Sequence, residues 1–228
     1  MVKLSETISK QIDLNSFHLS ESYYYNSLPL CVIDSVYSIG VKYESVKNVI
    51  SSFCEYEKIQ KHRVSRKTIP KISEQYKVSD FLNKFNDYSN EKLAKEIFRN
   101  SQRTSSRSGI LKSQAVVEFL RILKRYEIDT FQDLMKSNND FKNDILKIKG
   151  QKSGISLQYF YMLAGSEELI KPDRMIIRFL EANLNRKVSF IESLEIIKST
   201  CQELKTEYSI EITPRELDNA IWNYQRKA

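Results

Sequence analysis

The chain has 228 residues, 41% hydrophobic and 29% charged, a balance typical of folded globular proteins that argues against wholesale disorder. Its 36 lysines and arginines outnumber 29 acidic residues, and the formal net charge of +7 favours a polyanionic partner without requiring one. With only five glycines and four prolines, the composition argues against a turn-rich β-sandwich and predicts an all-α fold.

The sequence carries no signal for a membrane segment, a disulfide framework or a metal site. No apolar run approaches the roughly 18 residues that a membrane-spanning helix needs, and the N-terminus lacks the apolar core of a signal peptide. Cys31, Cys54 and Cys201 are far apart and contain no Cys-x-x-Cys pair. We therefore expect a soluble, cytoplasmic protein without a metal, a cofactor or a membrane partner.

The first strong helical signals lie on either side of a short turn. Residues 28–41 form a mostly apolar segment that begins near Pro29, a residue favoured in a first helical turn. Residues 45–53 repeat apolar side chains at helical spacing. Tyr23, Tyr24 and Tyr25 precede them and cannot all face one side of a helix. They are expected to pack at a junction between lobes, or to offer one ring for base stacking.

Residues 55–77 form the least regular part of the chain. A run of cations predicts either a solvated connection or phosphate contacts, and it comprises Lys58, Lys61, Arg63, Arg66, Lys67 and Lys71. Two short helices are predicted over residues 79–100, with a core face made by Leu93, Ala94, Ile97 and Phe98.

A polar, basic stretch follows at residues 101–109. Its small hydroxyl side chains, together with Arg103 and Arg107, suit phosphate oxygens, although an exposed linker would have the same composition. A helix with a broad apolar face is predicted over residues 110–126, and a short one over residues 130–137.

The central pattern is a tight turn between two helices. A short apolar run ends at Gly150, and an almost wholly apolar helix is predicted over residues 155–164. The turn between them contains Gly150, Gln151, Lys152, Ser153 and Gly154, where the glycines allow close approach to the backbone. Unpaired amides at the start of the second helix suit an anion such as phosphate. A plain connection between two helices would have a similar sequence.

Asp173 precedes the next amphipathic helix. An aspartate in this position is an ordinary N-cap, and it is also a carboxylate held in a fixed place. Two capping boxes predict the last helices, at residues 189–192 and 213–216. The first helix has an apolar stripe of Ile191, Leu194, Cys201 and Leu204, and the second has one of Leu217, Ala220, Ile221 and Tyr224.

The order of basic stretch, tight turn, buried helix and lone acid resembles the helix-hairpin-helix DNA glycosylase superfamily, the endonuclease III-like base-excision enzymes. The resemblance spans roughly residues 28–184. Gly150 matches the first glycine of that family's hairpin, and Asp173 falls where the family keeps its catalytic aspartate. Lys152 replaces the second hairpin glycine, and Gly154 stands where lyase-competent members carry a nucleophilic lysine. The cysteines cannot form the iron–sulfur cluster that some members hold.

The resemblance implies a role for each site residue. Asp173 would be catalytic, stabilising positive charge on the sugar as the glycosidic bond breaks. The residues that would bind DNA phosphates are Gly150, Gln151, Lys152, Ser153, Gly154, Arg103, Arg107 and Lys112. Lys42 and Tyr43 lie where the family inserts a wedge or base contact into DNA.

The resemblance also implies a two-lobed helical architecture, with a barrel lobe over residues 28–164 and a second lobe from residues 1–27 and 165–228. DNA would bind in the cleft between the lobes. The expected function is a monomeric, monofunctional glycosylase acting on a damaged or modified base in double-stranded DNA. Lys152 or Lys171 could replace the missing lyase lysine. The alternatives are a catalytically inactive helix-hairpin-helix DNA-binding protein and a helical protein-interaction domain.

Overall fold

The computed structural model describes residues 3–14, 19–65, 68–138 and 140–227, and these residues form helices and loops with no β-strand. The all-α prediction is confirmed. In chain order the helices are α1 (Leu4–Gln11), α2 (Leu28–Tyr37), α3 (Tyr43–Glu57), α4 (Val78–Lys84), α5 (Asn90–Lys92), α6 (Lys112–Arg125), α7 (Phe131–Lys136), α8 (Lys142–Lys147), α9 (Ile155–Ala164), α10 (Arg174–Leu184), α11 (Phe190–Tyr208) and α12 (Pro214–Lys227).

The chain divides into two compact units. The larger unit is Glu21–Ala164, and the smaller combines Met1–Ser20 with Gly165–Ala228. Residues 21–27, which the sequence analysis grouped with the second lobe, lie in the larger unit. No helix in the described ranges is long and apolar enough to cross a lipid bilayer.

The larger unit is built around α2. All ten of its residues are buried, and it packs against α3, α6 and α9. A helix with so few polar residues is stable only when it is covered on all sides, which is why this segment forms the centre of the unit. The helix ends at Tyr37, earlier than the predicted residue 41, and Gly40 in the following turn has a φ of +71°.

A π-helical turn, Leu93–Ile97, continues α5 and leads toward the basic stretch. Its predicted core face is confirmed, because Leu93, Ala94, Ile97 and Phe98 are all buried. The Phe98 ring packs beside those of Phe53 and Phe81. The core of the larger unit thus fixes the position at which the basic stretch begins.

The cationic run at residues 55–77 does not form one surface. Lys58 and Lys71 are exposed, whereas Arg63 is only 5% exposed. The Arg63 guanidinium donates to the carbonyl oxygens of Tyr25 and Ala164, each at 2.9 Å, and lies 4.2 Å from the centre of the Phe131 ring. A phosphate-contact role for Arg63 is therefore wrong. Arg66 and Lys67 lie outside the described residues.

The smaller unit packs α1, α10, α11 and α12 around one apolar core. Both predicted capping boxes are present, at Ser189 with Glu192 and at Thr213 with Glu216. The predicted stripe of α11 is wrong at Ile191, which is 78% exposed, because the buried face runs through Ser193, Ile197, Thr200, Cys201 and Leu204.

Candidate functional site

The α8–α9 turn, residues 148–154, reverses the chain through two glycines. Gly150 has a φ of +92° and Gly154 a φ of +75°, values that side-chain-bearing residues rarely adopt. The Gln151 amide donates to the Ile148 carbonyl at 2.9 Å, and the Gly154 amide donates to the Gln151 carbonyl at 3.0 Å. These bonds stabilise the turn.

Gln151 supports the turn from inside. It is 3% exposed, and its side-chain oxygen accepts a hydrogen bond from the Ser156 hydroxyl in the first turn of α9. Its side chain is therefore used by the fold and is not available for a contact to DNA.

The outer part of the turn presents unused donors. The amides of Gly150, Lys152 and Ser153 donate to no acceptor within the described part of the chain, and all three residues are exposed. They stand just before α9, whose peptide dipoles place partial positive charge at this end. This arrangement suits an oxyanion, as the sequence predicts.

The basic loop, residues 101–109, is anchored at its start by Asn100. The Asn100 side chain donates to the Ser45 hydroxyl at 3.1 Å, and its oxygen accepts the Gln102 amide at 2.9 Å. The two ends of the loop then pair, since the Thr104 amide donates to Ile110 and the Lys112 amide to Gln102, each at 2.9 Å. The loop is consequently an ordered projection.

Gly109 closes the loop because there is no room for a side chain at this position. A Cβ atom there would lie 2.1 Å from the Ser105 nitrogen. Arg103 adds a further brace, with its guanidinium donating to the Gly109 carbonyl at 2.9 Å.

Thr104 joins the basic loop to the α8–α9 turn. A Cβ atom on Gly150 would lie 2.4 Å from the Thr104 Cβ, so the Thr104 side chain packs against the Gly150 backbone as closely as a glycine permits. The Thr104 hydroxyl oxygen is buried and has no hydrogen-bond partner among the described residues. The structure thus brings together two stretches that are 40 or more residues apart and that the sequence assigned separately to phosphate binding.

The joined elements carry four exposed cations, Arg103, Arg107, Lys149 and Lys152. None of them pairs with a carboxylate in the described ranges, unlike Lys147, which contacts Asp144 at 2.7 Å. We call these four side chains and the free amides of the α8–α9 turn the composite basic surface. It belongs to a unit with 24 lysines and arginines against 16 acidic residues, a net charge of +8, whereas the smaller unit has 12 against 13.

Lys112 does not belong to this surface. It is 2% exposed, and its ammonium group donates to the carbonyl oxygens of Tyr37 and Ile39, both at 2.9 Å. Those carbonyls lie at the C-terminal end of α2, where a cation is favourable. The predicted phosphate contact is wrong because this lysine serves as an internal cap.

The two predicted wedge residues differ in their exposure to solvent. Lys42 is exposed at the start of α3, whereas Tyr43 is half-buried against the core. Burial, with the nearby charge of Asp34, raises the pKa of the Tyr43 hydroxyl. Of the pair, only Lys42 projects freely into solvent.

Asp173 lies in the smaller unit as the N-cap of α10. Its Oδ1 accepts the amides of Met175 at 2.8 Å and Ile176 at 3.3 Å, which confirms the predicted cap. The side chain is half-buried, and its Oδ2 accepts no hydrogen bond from the described residues. One oxygen therefore stabilises the helix while the other remains available.

Sequence reasoning missed the residue that supports the Asp173 segment. Asp218 in α12 is 7% exposed, and its Oδ1 accepts the Lys171 amide at 3.1 Å. Nothing in the local pattern of α12 marks Asp218, because charged residues are common along amphipathic helices.

A cavity of about 500 Å³ also lies in the smaller unit, between α11 and the start of α12. It is lined by residues that include Cys201, Lys198 and Glu216, and Asp173 is not among them. Burial raises the pKa of the Cys201 thiol to about 12, with smaller contributions from Glu168 and Glu216, so this thiol is not a nucleophile near neutral pH.

Comparisons with known proteins identify the family of the chain and give no information on its activity. No curated protein and no solved structure matches the chain. One family model matches residues 2–226, nearly the whole sequence. The chain therefore belongs to the family described as domain of unknown function DUF8548.

Proposed function

We propose that the protein binds the phosphate backbone of double-stranded DNA through the composite basic surface. The observation that carries this proposal is the contact between Thr104 and Gly150, which joins two cationic elements into one site. Two phosphates of a strand could then be held at once, by the turn amides and by the arginines of the loop.

The physical basis is the release of counterions. A phosphate backbone carries a condensed layer of cations, and each lysine or arginine that replaces one increases the entropy of the solution. Such contacts set the position of a protein on the duplex and carry no sequence information themselves. The four cations have no carboxylate partners in the described ranges, so binding would break no internal ion pair.

We further propose that the reaction is hydrolysis of the N-glycosidic bond of a damaged or modified base, with Asp173 as the catalytic carboxylate. As that bond breaks, positive charge grows on the sugar, and a fixed carboxylate stabilises it without reorganisation. The support is the available Oδ2 of Asp173 and its position after the α8–α9 turn, where the resemblance to the glycosylases puts the catalytic aspartate. The absence of a lysine at position 154 argues for a monofunctional enzyme.

The alternative is a DNA-binding protein that has no catalytic activity. It is favoured by one observation, that Asp173 already serves as an ordinary N-cap through Oδ1. This alternative shares the composite basic surface and differs only in releasing no base.

Binding is tested by fluorescence anisotropy on a labelled duplex at several salt concentrations. Four phosphate contacts give a slope of log K against log salt of about −3.6, or about a 150-fold loss of affinity between 50 and 200 mM. Alanine at Lys149 or Lys152 should reduce the slope by about 0.9 each. Lys10→Ala is the control, because that lysine already pairs with Glu6 at 2.6 Å.

Undetectable binding at low salt would reject the nucleic-acid assignment in favour of a protein-interaction domain. An unchanged slope in the Lys149 and Lys152 variants, with tight binding retained, would place the DNA on a different face of the larger unit.

Catalysis is tested by base release from a panel of lesion-bearing duplexes. Asp173→Asn should abolish release while leaving DNA affinity unchanged, because asparagine caps helices about as well as aspartate. This variant therefore separates the capping role of Asp173 from the effect of its negative charge. Release by Asp173→Asn at the wild-type rate would remove Asp173 from the mechanism.

Borohydride trapping examines the lysine route on the same substrates. A hydrolytic enzyme leaves no covalent adduct, whereas an adduct mapped to Lys152 or Lys171 would show a Schiff base.

A further inference from the structure

The segment that leads into Asp173 is tied to α12 at two points. At the first, Glu167 accepts both the Arg215 amide and the Arg215 guanidinium, each at 3.1 Å, through its carbonyl and its carboxylate respectively. At the second, the Lys171 amide donates to Asp218. Arg215 and Asp218 are both buried, so these ties lie within the unit and not on its surface.

The second tie acts directly on the turn that orients Asp173. The Asp173 amide donates to the Lys171 carbonyl at 2.6 Å, closing a three-residue turn around the buried Pro172. Lys171 therefore has its carbonyl bound to Asp173 and its amide bound to Asp218. A shift of the Lys171 peptide would move the Asp173 carboxylate with it.

A buried aspartate that served only as a hydrogen-bond acceptor would carry an energetic cost. A buried carboxyl group loses its hydration, and an asparagine would accept the same amide hydrogen bond without a charge. The charged groups close enough to influence it are Asp173, Lys171 and Arg215. Burial raises the pKa of Asp218 well above its usual value, and the negative charge of Asp173 raises it further, against the opposing effects of the Lys171 amide, Lys171 and Arg215.

We propose that Asp218 is a positioning residue for Asp173, and that it fixes the Lys171–Asp173 turn by accepting the hydrogen bond from the Lys171 amide. This proposal rests on the proposed glycosylase function. The raised pKa of Asp218 favours its neutral form, which adds no negative charge near Asp173. Groups with a perturbed pKa, such as Asp218, are concentrated at functional sites.

The stability of the protein should also depend on the protonation of Asp218. Because the folded-state pKa of Asp218 is raised, its contribution is fully present below the ordinary carboxyl range and is lost as pH rises through the folded value. Ionisation of Asp218 would strengthen its hydrogen bond from the Lys171 amide, but it would also leave a buried charge near that of Asp173, and burial and repulsion are the larger effects. Base release should therefore fall on the alkaline side of the pH profile.

The test compares Asp218→Ala with Asp218→Asn in single-turnover base release. Removal of the acceptor in Asp218→Ala should lower the rate by about tenfold or more, because small displacements of a catalytic group are costly. DNA affinity should not change. Asp218→Asn keeps an acceptor and should restore the rate at neutral pH, but its profile should lack the alkaline fall. Asn223→Ala, on the same helix, is the control.

A second measurement does not depend on activity. Hydrogen–deuterium exchange at the Lys171 amide should accelerate by about tenfold or more in Asp218→Ala and remain slow in Asp218→Asn. If wild-type protein releases no base, the proposed function fails while exchange still tests the turn. Unchanged exchange in Asp218→Ala would overturn the positioning role even in an active enzyme, and superimposable pH profiles for Asp218→Asn and wild type would overturn the predicted pH dependence.

Discussion

Replacing Gly150 with alanine tests whether the basic loop and the α8–α9 turn brace each other. The new Cβ would lie 2.4 Å from the Thr104 Cβ and 2.5 Å from the Thr104 hydroxyl oxygen, well inside van der Waals contact. Neither atom is the free end of a flexible chain, since the Thr104 amide is bonded to the Ile110 carbonyl. The loop would have to move as a unit to make room.

Two costs add at Gly150. A left-handed backbone costs a side-chain-bearing residue about 1–2 kcal/mol, and overpacking costs about 1–3 kcal/mol more. We expect Gly150→Ala to lower the free energy of unfolding by about 3 kcal/mol. Gly154 is the matched control, because its φ of +75° is also positive but its Cβ would meet only the Leu146 Cδ2 at 3.6 Å, an ordinary contact. Gly154→Ala should therefore cost about 1 kcal/mol.

Urea unfolding of both variants, followed by circular dichroism, gives the two free energies. The difference between them measures the Thr104 contact. DNA affinity measured at the same time should fall further in Gly150→Ala than in Gly154→Ala, because only the former displaces the arginines of the loop. Equal costs in the two variants would mean that Thr104 moves aside freely, and the idea of a braced composite surface would be lost.

Three further predictions concern groups that the fold uses internally. Arg63→Ala should lower the free energy of unfolding by about 3–5 kcal/mol in urea, because it leaves buried carbonyls unpaired and removes the cation over Phe131. Lys112→Met should cost about 1–3 kcal/mol in the same assay yet leave the salt slope of DNA binding unchanged, and a reduced slope would return Lys112 to the interface. Burial raises the pKa of Cys54 to about 11 and of Cys201 to about 12, so at pH 8 both thiols should react slowly with a thiol reagent in native protein and rapidly in denaturant. Fast modification of native Cys201 would contradict its burial.

The sequence predicted features that depend on neighbouring residues. Residues 155–164 form α9 as expected, and the Asp173 cap and the Ser189 capping box are in place. Each of these depends on contacts within about one helical turn, such as a side-chain oxygen beside the amides that follow it. Local chemistry of this kind can be read directly from the order of residues.

Features that depend on distant packing were not predicted. Lys112 and Arg63 look like surface cations in the sequence, but each turns inward to carbonyl groups that another part of the chain supplies. Likewise, nothing local connects Thr104 to Gly150 or Asp218 to Lys171, since each contact joins residues more than 40 positions apart. The sequence therefore indicated the candidate phosphate-binding stretches without showing which side chains are free to bind.

The unequal sharing of charge between the two units has a consequence before any contact forms. The larger unit carries a net charge of +8 and the smaller unit −1, so the excess positive charge lies in the unit that holds the composite basic surface. A polyanion therefore attracts the larger unit and slightly repels the smaller one during diffusion. Productive encounters would thereby become more frequent at low ionic strength, where the field extends about 30 Å, than at 0.15 M, where it extends about 8 Å.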